Sequence, residues 1–404
     1  MEFLATLFQG VGTLFYQEPK IAIFRIVLIF LGIAFVWLGQ RGTLEPLIMI
    51  PMGFGMAAVN TGVLFFSAEK IGTLFTDTLA EDTESLMYAL QVEVFQPIYT
   101  FAFGNNLIAC LVFMGVGVLA DVGNVLRFPF TSMLIALFAE LGSFVTFPIA
   151  VALGLNYAEA AAISVVGGAD GPMVLFTAVI LAPEIFVPIT VIAYLYLSLT
   201  YGAYPFMIRA LVPKHLRGIV VKTSKVSNIT SGEKIAFDIV ACTFLCFLLP
   251  VAAPLLLSFF LGNAIKESGV TKYMKLIEDV FLYTATFFLG LMLGVLCEAS
   301  TLLDPRVLIF LILGIIALGI SGVGGIIGGY VVYLISGKNF NPTAGIAGVS
   351  CVPTCAKIAQ HEAYLVNKRA VILQYAMGAN ICGVIVSAIL TGLFVSVVPI
   401  LMQQ

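Results

Sequence analysis

The chain has 404 residues, of which 61% are hydrophobic and only 10% are charged, and its mean hydropathy is +1.10. Soluble proteins carry about 25% charged residues, so this chain has too few charges to cover a surface that faces water. Composition therefore excludes an ordinary soluble enzyme and predicts a protein whose solvent is lipid. The net charge of −3 favours no particular class of partner.

Long apolar segments follow one another along the whole chain. A membrane-spanning helix needs about 20 predominantly apolar residues, whereas a strand of a transmembrane barrel reads as about 10 residues of alternating polarity. The continuous segments therefore predict an all-α integral membrane protein, a polytopic bundle in the cell (inner) membrane. We expect the glycine-rich segment 306–334 to form two pieces. In chain order the predicted spans cover 21–39, 44–66, 101–120, 130–153, 159–183, 186–210, 235–261, 281–297, 306–334, 341–360 and 370–398.

A basic connection at 211–234 divides the chain into two halves of similar length. Short basic loops stay in the cytoplasm, so we expect this loop inside. The predicted domains are then an N-terminal membrane repeat, 1–210, and a C-terminal membrane repeat, 235–404. Each half contains a hydrophobic segment interrupted by glycine and proline, at 167–172 and near 341–353. Corresponding broken helices are typical of transporters built from two inverted repeats, with the binding site at the repeat interface.

Asp170 is the first candidate for a functional residue. It lies in the run Gly167-Gly-Ala-Asp-Gly-Pro172, inside an apolar segment. A carboxylate at the centre of a spanning helix costs about 2.5–3.5 kcal/mol on insertion scales, so it requires a partner, a cavity or an ion. The glycines permit unwound backbone, and freed carbonyl oxygens with a carboxylate are the ligands that hard cations prefer. The alternative is that Asp170 only caps the half-helix that begins at Pro172.

The second interrupted segment supplies neutral oxygen ligands from Asn341, Thr343 and Ser350, while Gly345 lets the backbone approach closely. One carboxylate with neutral oxygens suits a monovalent cation better than calcium, whose sites gather several carboxylates. Sodium or a proton is therefore the natural ligand of a site shared by the two interrupted segments. For Thr343 and Ser350 the alternative is a hydrogen bond to a carbonyl of their own helix.

Three further polar residues have two interpretations each. Lys357 follows Ser350 by about two helical turns, where its ammonium group would hold a substrate anion near the ion; alternatively it extends to the membrane surface. Tyr194 and Tyr196 lie within a predicted span. A phenol there either transfers a proton or anchors the helix at the interface, and spacing does not decide between these roles.

Motifs for nucleotide binding and for hydrolysis are absent from the sequence. It contains no P-loop, no dinucleotide fingerprint, no nucleophile elbow and no His-Glu-x-x-His run. We therefore expect no ATP-driven or soluble-cofactor chemistry within this chain. From the broken segments alone, a sodium- or proton-coupled secondary transporter without chemistry is an equally good interpretation.

Several longer runs connect the sequence to a known family. They are Arg41-Gly-Thr-Leu-Glu-Pro46, Pro51-Met-Gly-Phe-Gly55, Phe113-Met-Gly-Val-Gly-Val-Leu-Ala-Asp121, Gly167-Gly-Ala-Asp-Gly-Pro172, Ala347-Gly-Val-Ser-Cys-Val-Pro353 and Ala376-Met-Gly-Ala-Asn380. Together they resemble the β subunits of the biotin-dependent, sodium-pumping decarboxylases of oxaloacetate, methylmalonyl-CoA, glutaconyl-CoA or malonate. The resemblance runs from about residue 40 to about residue 395.

The resemblance implies a function and a set of partners. In that family a soluble subunit transfers a carboxyl group from substrate to biotin, and the β subunit decarboxylates carboxybiotin, takes up a proton and exports sodium. The implied ligands are thus a sodium ion and a carboxybiotin carried on another subunit. The implied partners are the carboxyltransferase (α) subunit, a biotin carrier, a small membrane γ/δ subunit, the lipid bilayer and further copies of the chain, with no nucleic acid.

The resemblance also implies roles for single residues. Asp170 matches the sodium-site aspartate, and Asn341, Gly345 and Ser350 match residues of the second broken segment tied to sodium binding. Tyr196 matches a tyrosine near that site.

Position 357 matches a family arginine that engages carboxybiotin, so Asp170, Tyr196 and Lys357 are the implied catalytic residues. The lysine is a departure from the pattern, because arginine and lysine are not interchangeable in bidentate carboxylate binding. Tyr375 and Ala379 also depart from a His-Ala-Met-Gly-Pro-Asn pattern. These departures argue against a close relative of oxaloacetate decarboxylase, and they identify no other substrate.

Overall fold

The computed structural model describes residues 7–65, 71–77, 80, 82–221 and 229–403. Part of the predicted basic loop, 222–228, lies outside these residues. The described chain is almost entirely helical, which confirms the all-α prediction; its strands are the short antiparallel pair Leu64–Phe65 and Ile71–Gly72. The α-helices are α1 Gln9–Tyr16, α2 Pro19–Gln40, α3 Pro46–Thr61, α4 Thr83–Val92, α5 Gln96–Ile98, α6 Leu107–Leu119, α7 Gly123–Arg127, α8 Pro129–Ala139, α9 Leu141–Ala152, α10 Tyr157–Ser164, α11 Gly171–Leu181, α12 Phe186–Leu211, α13 Lys214–Arg217, α14 Ser231–Leu248, α15 Ala253–Glu267, α16 Thr271–Lys275, α17 Leu282–Leu296, α18 Ala299–Leu302, α19 Arg306–Ile335, α20 Thr354–Val366 and α21 Leu373–Met402.

The chain is a multi-pass membrane protein. Large apolar side chains on several helices are exposed, among them Phe30, Phe247 and Leu308, as expected of surfaces that face lipid. A bent pair of helical pieces, Gln96–Phe103 with Leu107–Leu119, also has the composition of a span. Among the described residues, five helical stretches are long and apolar enough to cross a membrane: Pro19–Gln40, Pro129–Ala152, Thr271–Leu296, Arg306–Ile335 and Leu373–Met402.

Two of the predicted spans are wrong in detail. The segment 235–261 is not one span, because Pro250 begins a 3₁₀ turn that separates α14 from α15. A proline lacks the N–H that would continue the helix and restricts the residue before it. The segment 306–334 is not two pieces either, because α19 runs unbroken from Arg306 to Ile335.

The glycines of α19 serve close packing instead of breaking the helix. A Cβ atom added at Gly325 would lie 2.5 Å from the carbonyl oxygen of Gly345, and one added at Gly329 would lie 3.0 Å from the Cα atom of Gly345. A Cβ at Gly324 would overlap the carbonyl oxygen of Phe138. Small residues let backbones approach in this way in membrane bundles, so the second interrupted segment rests directly on the backbone of α19.

The chain contacts divide into two compact units. The first comprises 1–108 with 284–309, and the second comprises 109–283 with 310–404. This grouping differs from the halves 1–210 and 235–404, but it does not test whether those halves are related by an inverted symmetry. The two inverted repeats therefore stay a prediction.

A central feature of the first unit is Arg25, a fully buried cation within the otherwise apolar segment 21–39. Its guanidinium donates to the carbonyl oxygen of Asn60 at 3.0 Å, to Thr13 Oγ1 at 3.1 Å and to Gln17 Oε1 at 2.7 Å. The Asn60 amide in turn donates to the carbonyl oxygen of Cys297 at 2.8 Å. A buried charge persists only when it is paired or fully hydrogen-bonded, and these bonds join α1, α2 and α3 at one place.

We predict that Gly325→Ala lowers the stability of the chain by about 1–3 kcal/mol, the usual cost of overpacking a well-packed core. Gly319→Ala on the same helix is the matched control, because nothing lies within 4 Å of the position where its Cβ would stand. Replacement of an interior helical glycine by alanine there gains up to about 1 kcal/mol. Thermal unfolding of the two purified variants in detergent measures the difference, and equal melting temperatures would contradict the packing described.

Candidate ion-binding site

The first interrupted segment lies between α10 and α11. The helix gives way to a 3₁₀ turn at Val165–Gly168, and Ala169 takes a left-handed conformation with φ of +54°. That conformation costs a non-glycine residue roughly 1–2 kcal/mol. Asp170 follows in an extended conformation as the N-cap of α11, with Pro172 in the first turn. The chain thus leaves the helix for a few residues and re-enters it directly after Asp170.

Asp170 is buried, with 8% of its surface exposed. The N–H of Met173 lies close enough to act on its carboxylate, yet no side-chain capping hydrogen bond forms at this helix end. On the other side lies Tyr194, because a Cβ added at Gly171 would stand 2.6 Å from the Tyr194 hydroxyl oxygen. The carboxylate thus lies at the start of α11, close to Tyr194.

Ser350 connects the two interrupted segments. Its backbone N–H donates to the carbonyl oxygen of Gly168 at 2.9 Å, and its hydroxyl group donates to the same oxygen. The hydroxyl thus bonds to the other segment and not to a carbonyl of its own helix. Ser350 therefore contacts a residue that lies two positions before Asp170 in the chain.

A second carboxylate lies beside this contact. The Ser350 hydroxyl lies 3.2 Å from the hydroxyl of Ser387 in α21, which donates to Glu140 Oε1. The other carboxylate oxygen, Oε2, accepts from the hydroxyl of Ser143 at 2.9 Å. Glu140 is also close enough to Asp170 for the two carboxylates to interact electrostatically. The result is a buried cluster of oxygen atoms from a carbonyl group, three hydroxyl groups and the Glu140 carboxylate, with Asp170 nearby.

Sequence reasoning missed Glu140, although the signal was present. It lies near the middle of the predicted span 130–153 and is 1% exposed. An ionisable residue inside a span is a functional candidate by default, and this rule was applied to Asp170 only. Ser387 gave no comparable signal, because a serine in a membrane helix is common and usually bonds to its own helix.

Asn341 lies in the same interrupted segment as Ser350, but its side chain is directed elsewhere. Its amide donates to the carbonyl oxygens of Arg217 at 2.8 Å and Ile219 at 3.1 Å, and its Oδ1 atom accepts from the N–H of Thr343 at 3.1 Å. The structure therefore uses Asn341 to fix the start of the second segment to the chain after α13.

A buried carboxylate strengthens that attachment. Glu362 of α20 is 1% exposed and accepts from Arg209 at 2.7 and 2.9 Å and from Arg217 at 3.2 Å. Because α12 and α13 supply the two arginines, the carboxylate fixes both to α20. Asn380 of α21 also holds the second segment, since its amide donates to the carbonyl oxygens of Ala347 and Val349.

The other predicted residues are spread around this core. Gly345 packs against the backbone of α19 and faces no carboxylate. The Tyr196 hydroxyl donates to the carbonyl oxygen of Leu311 at 2.5 Å, and its ring lies against Gly314. Tyr194 is therefore the tyrosine that the structure places near Asp170. Lys357 lies in the second turn of α20, with its side chain exposed.

A narrow gap between side chains borders Asp170. Apolar residues line it, including Val174, Ala193 and Leu318, and it has no room for a water molecule. This gap therefore offers a cation no water-filled route to the carboxylate.

Comparison with known proteins identifies the family of this chain. The family model for the Na⁺-transporting oxaloacetate decarboxylase beta subunit matches residues 24–398. The chain is 52% identical over 396 residues to a carboxybiotin decarboxylase of Malonomonas rubra, with 98% of each chain covered.

More distant relatives cover nearly the whole chain as well. An oxaloacetate decarboxylase beta chain of Haemophilus ducreyi is 32% identical, with 97% of this chain and 98% of the relative covered. A methylmalonyl-CoA decarboxylase subunit beta of Propionigenium modestum is 33% identical, with 92% and 94% covered. The chain therefore belongs to the family of Na⁺-transporting oxaloacetate decarboxylase beta subunits.

Proposed function

We propose that the chain is the membrane subunit of a sodium-translocating, biotin-dependent decarboxylase. It decarboxylates carboxybiotin carried on another subunit and couples this reaction to sodium export and proton uptake. The family match over residues 24–398 and the relative named carboxybiotin decarboxylase support the reaction. The observation that carries the ion-transport part is the buried oxygen cluster that links Ser350 to Glu140, with the Asp170 carboxylate close to Glu140.

Sodium is the cargo that suits this cluster. Carboxylate, hydroxyl and carbonyl oxygens are the ligands of hard cations, and Asp170, Ser350 and the Gly168 carbonyl group supply all three kinds. Asn341 and Gly345 support the site indirectly, because they hold in place the segment that carries Ser350. Glu140 adds a second carboxylate, which hydrogen bonds through Ser387 connect to Ser350. Its negative charge favours a bound cation.

The decarboxylation needs little from the protein besides binding and a proton. The bond between the carboxyl carbon and the biotin nitrogen breaks, carbon dioxide leaves, and the nitrogen takes up one proton. Lys357 is the proposed partner of the substrate carboxylate, because it is exposed and lies near the N-terminus of α20, an end that favours anions. Tyr196 is proposed to act close to the ion site, and its hydrogen bond to the Leu311 carbonyl oxygen connects α12 to α19.

The proton consumed in this reaction supplies the coupling. Uptake of one positive charge near a site that holds sodium changes the relative energy of two conformations, and a ligand shifts such an equilibrium by its differential affinity for them. Movement of one broken helix against the other would then expose sodium to the far side, as in transporters with binding sites at broken helices.

The chain works as one subunit of a decarboxylase complex, as the beta-chain names of its relatives indicate. The further partners that we propose are a carboxyltransferase (α) subunit, a biotin carrier, a small membrane γ/δ subunit and other copies of the chain. The rival function, a secondary transporter without chemistry, predicts no such partners. Co-purification of a biotinylated protein on an avidin blot distinguishes the two functions.

We predict that Asp170→Asn abolishes sodium uptake and sodium-dependent decarboxylation in reconstituted vesicles. Loss of a buried charge from its partner costs about 3–5 kcal/mol, which is more than about 100-fold in sodium affinity. Glu184→Gln is the matched control, because Glu184 is an exposed carboxylate just beyond α11. Survival of both activities in Asp170→Asn would contradict the site.

We predict a milder effect for Glu140→Gln, which keeps the side-chain size and removes the charge. The sodium concentration for half-maximal decarboxylation should rise about 10- to 100-fold, the usual range when a group behind a metal ligand is changed. The maximal rate at saturating sodium should remain. Ser387→Ala should act in the same direction, and an unchanged sodium requirement in both variants would exclude Glu140 from the site.

For Lys357 we predict a change in substrate affinity and not in sodium affinity. Loss of a hydrogen bond to a charged group costs about 1.5–3 kcal/mol, so Lys357→Ala should raise the KM for the carboxylated biotin carrier about tenfold or more. Lys357→Arg should retain binding. If Lys357→Ala leaves the KM unchanged, the side chain only extends to the membrane surface.

A further inference from the structure

The helices α14 and α15 form a hairpin whose pairing is set by an ion pair. Lys234 Nζ lies 3.0 Å from Glu267 Oε1, and the Phe237 and Phe260 rings meet at 6.4 Å. Residues four apart lie on the same face of a helix. Asp238 is four residues after Lys234, and Asn263 is four residues before Glu267. Helix geometry therefore places the two residues at the same level of the hairpin, one turn further from its open end than the ion pair.

Asp238 is a buried carboxylate without a donor. It is 1% exposed, and neither Oδ1 nor Oδ2 has a hydrogen-bond partner among the described residues. Asn263 opposite is fully buried, and its Oδ1 atom also lacks a donor within the same set. Its amide group is committed, because it donates to the carbonyl oxygens of Gly117 at 3.2 Å and Ala120 at 3.0 Å. Three buried acceptor oxygens thus lie at one level of the hairpin.

The neighbouring cations do not supply the missing donor. Lys234 divides its ammonium group between Asp121 at 2.7 Å and Glu267 at 3.0 Å. Lys266 donates to the carbonyl oxygen of Ala120 at 2.6 Å. An ionised, unpaired carboxylate is strongly unfavourable in such a position, so the cluster lacks one hydrogen-bond donor or one positive charge.

We propose that Asp238 and Asn263 form a proton-binding site, in which the Asp238 carboxyl group carries a proton and donates it to Asn263 Oδ1. One proton supplies the missing donor and removes the buried charge in a single step. A metal cation fits less well, because hard cations gather many oxygen ligands and the three oxygens at this level are too few to surround one. The Lys234 ammonium group one turn away also repels a second cation.

The charged and titratable groups around Asp238 come from four parts of the chain. Loss of the proton would place a second negative charge beside Glu267 with one lysine shared among three carboxylates. The proton therefore holds the hairpin closed against the end of α6. The groups are Lys234 and Cys242 on α14 with Asp238 itself, Lys266 and Glu267 on α15, Asp121 after α6, and Glu278, which acts on Lys266.

Infrared difference spectroscopy of the purified full chain tests the proposal directly. The wild-type spectrum minus the Asp238→Asn spectrum at neutral pH should contain the C=O stretch of a protonated carboxylic acid. The Asp304→Asn variant is the control, because hydrogen bonds from Arg306 hold the pKa of Asp304 below its usual value and keep it ionised. No protonated-acid band should appear in the Asp304→Asn difference spectrum.

Two outcomes would overturn the proposal. An Asp238→Asn difference spectrum without that band places the proton elsewhere. Loss of the band when sodium chloride replaces choline chloride at constant pH shows that Asp238 binds sodium instead. Both spectra are recorded without substrate or partner subunits, so they report on Asp238 whether or not the chain pumps sodium.

A stability measurement covers the case in which the band is obscured. Folded chains would hold a proton on Asp238 that unfolded chains release at neutral pH, so the wild-type melting temperature should fall as pH rises. Asp238→Asn, a neutral mimic of the protonated acid, should fold and lose this part of the pH dependence. Identical pH profiles for wild type and variant would contradict the proton site.

Discussion

The contact between Gly168 and Ser350 is the constraint on which the rest of the site depends. A membrane offers no donors to a carbonyl group freed from its helix, so an interrupted helix persists only where protein supplies them. Ser350 does this with both its N–H and its hydroxyl group. The same contact places one broken segment against the other and directs the Ser350 hydroxyl toward Ser387. Asp170 lies two residues beyond Gly168 in the chain, and we propose that it completes the oxygen cluster as a sodium ligand.

Much of this arrangement could be predicted from the sequence. Composition and segment length determined the all-α membrane class, because lipid permits few other ways to satisfy the backbone. A carboxylate is energetically costly in an apolar, glycine-flanked run, so Asp170 identified one interrupted segment. The oxygen-bearing side chains from Asn341 to Ser350 identified the other. The residue motifs identified the family, which the comparisons confirm over residues 24–398. The roles of the single residues remain proposals.

What could not be predicted is how side chains distribute themselves in three dimensions. Asn341 and Ser350 look alike as polar residues of one segment, yet one bonds to the chain after α13 and the other bonds to Gly168. Tyr194 and Tyr196 are two residues apart and so lie on different faces of α12. The glycines of α19 indicated a break but serve close contact with Gly345, because a glycine pattern alone does not distinguish flexibility from packing.

The most direct test of the central claim is a pair of cryo-electron microscopy maps of the purified complex, one in sodium chloride and one in choline chloride. We expect a peak present only in sodium, bounded by the Asp170 carboxylate, the Gly168 carbonyl oxygen and the Ser350 hydroxyl. Sodium-dependent density elsewhere in the chain, with none at this cluster, would contradict it.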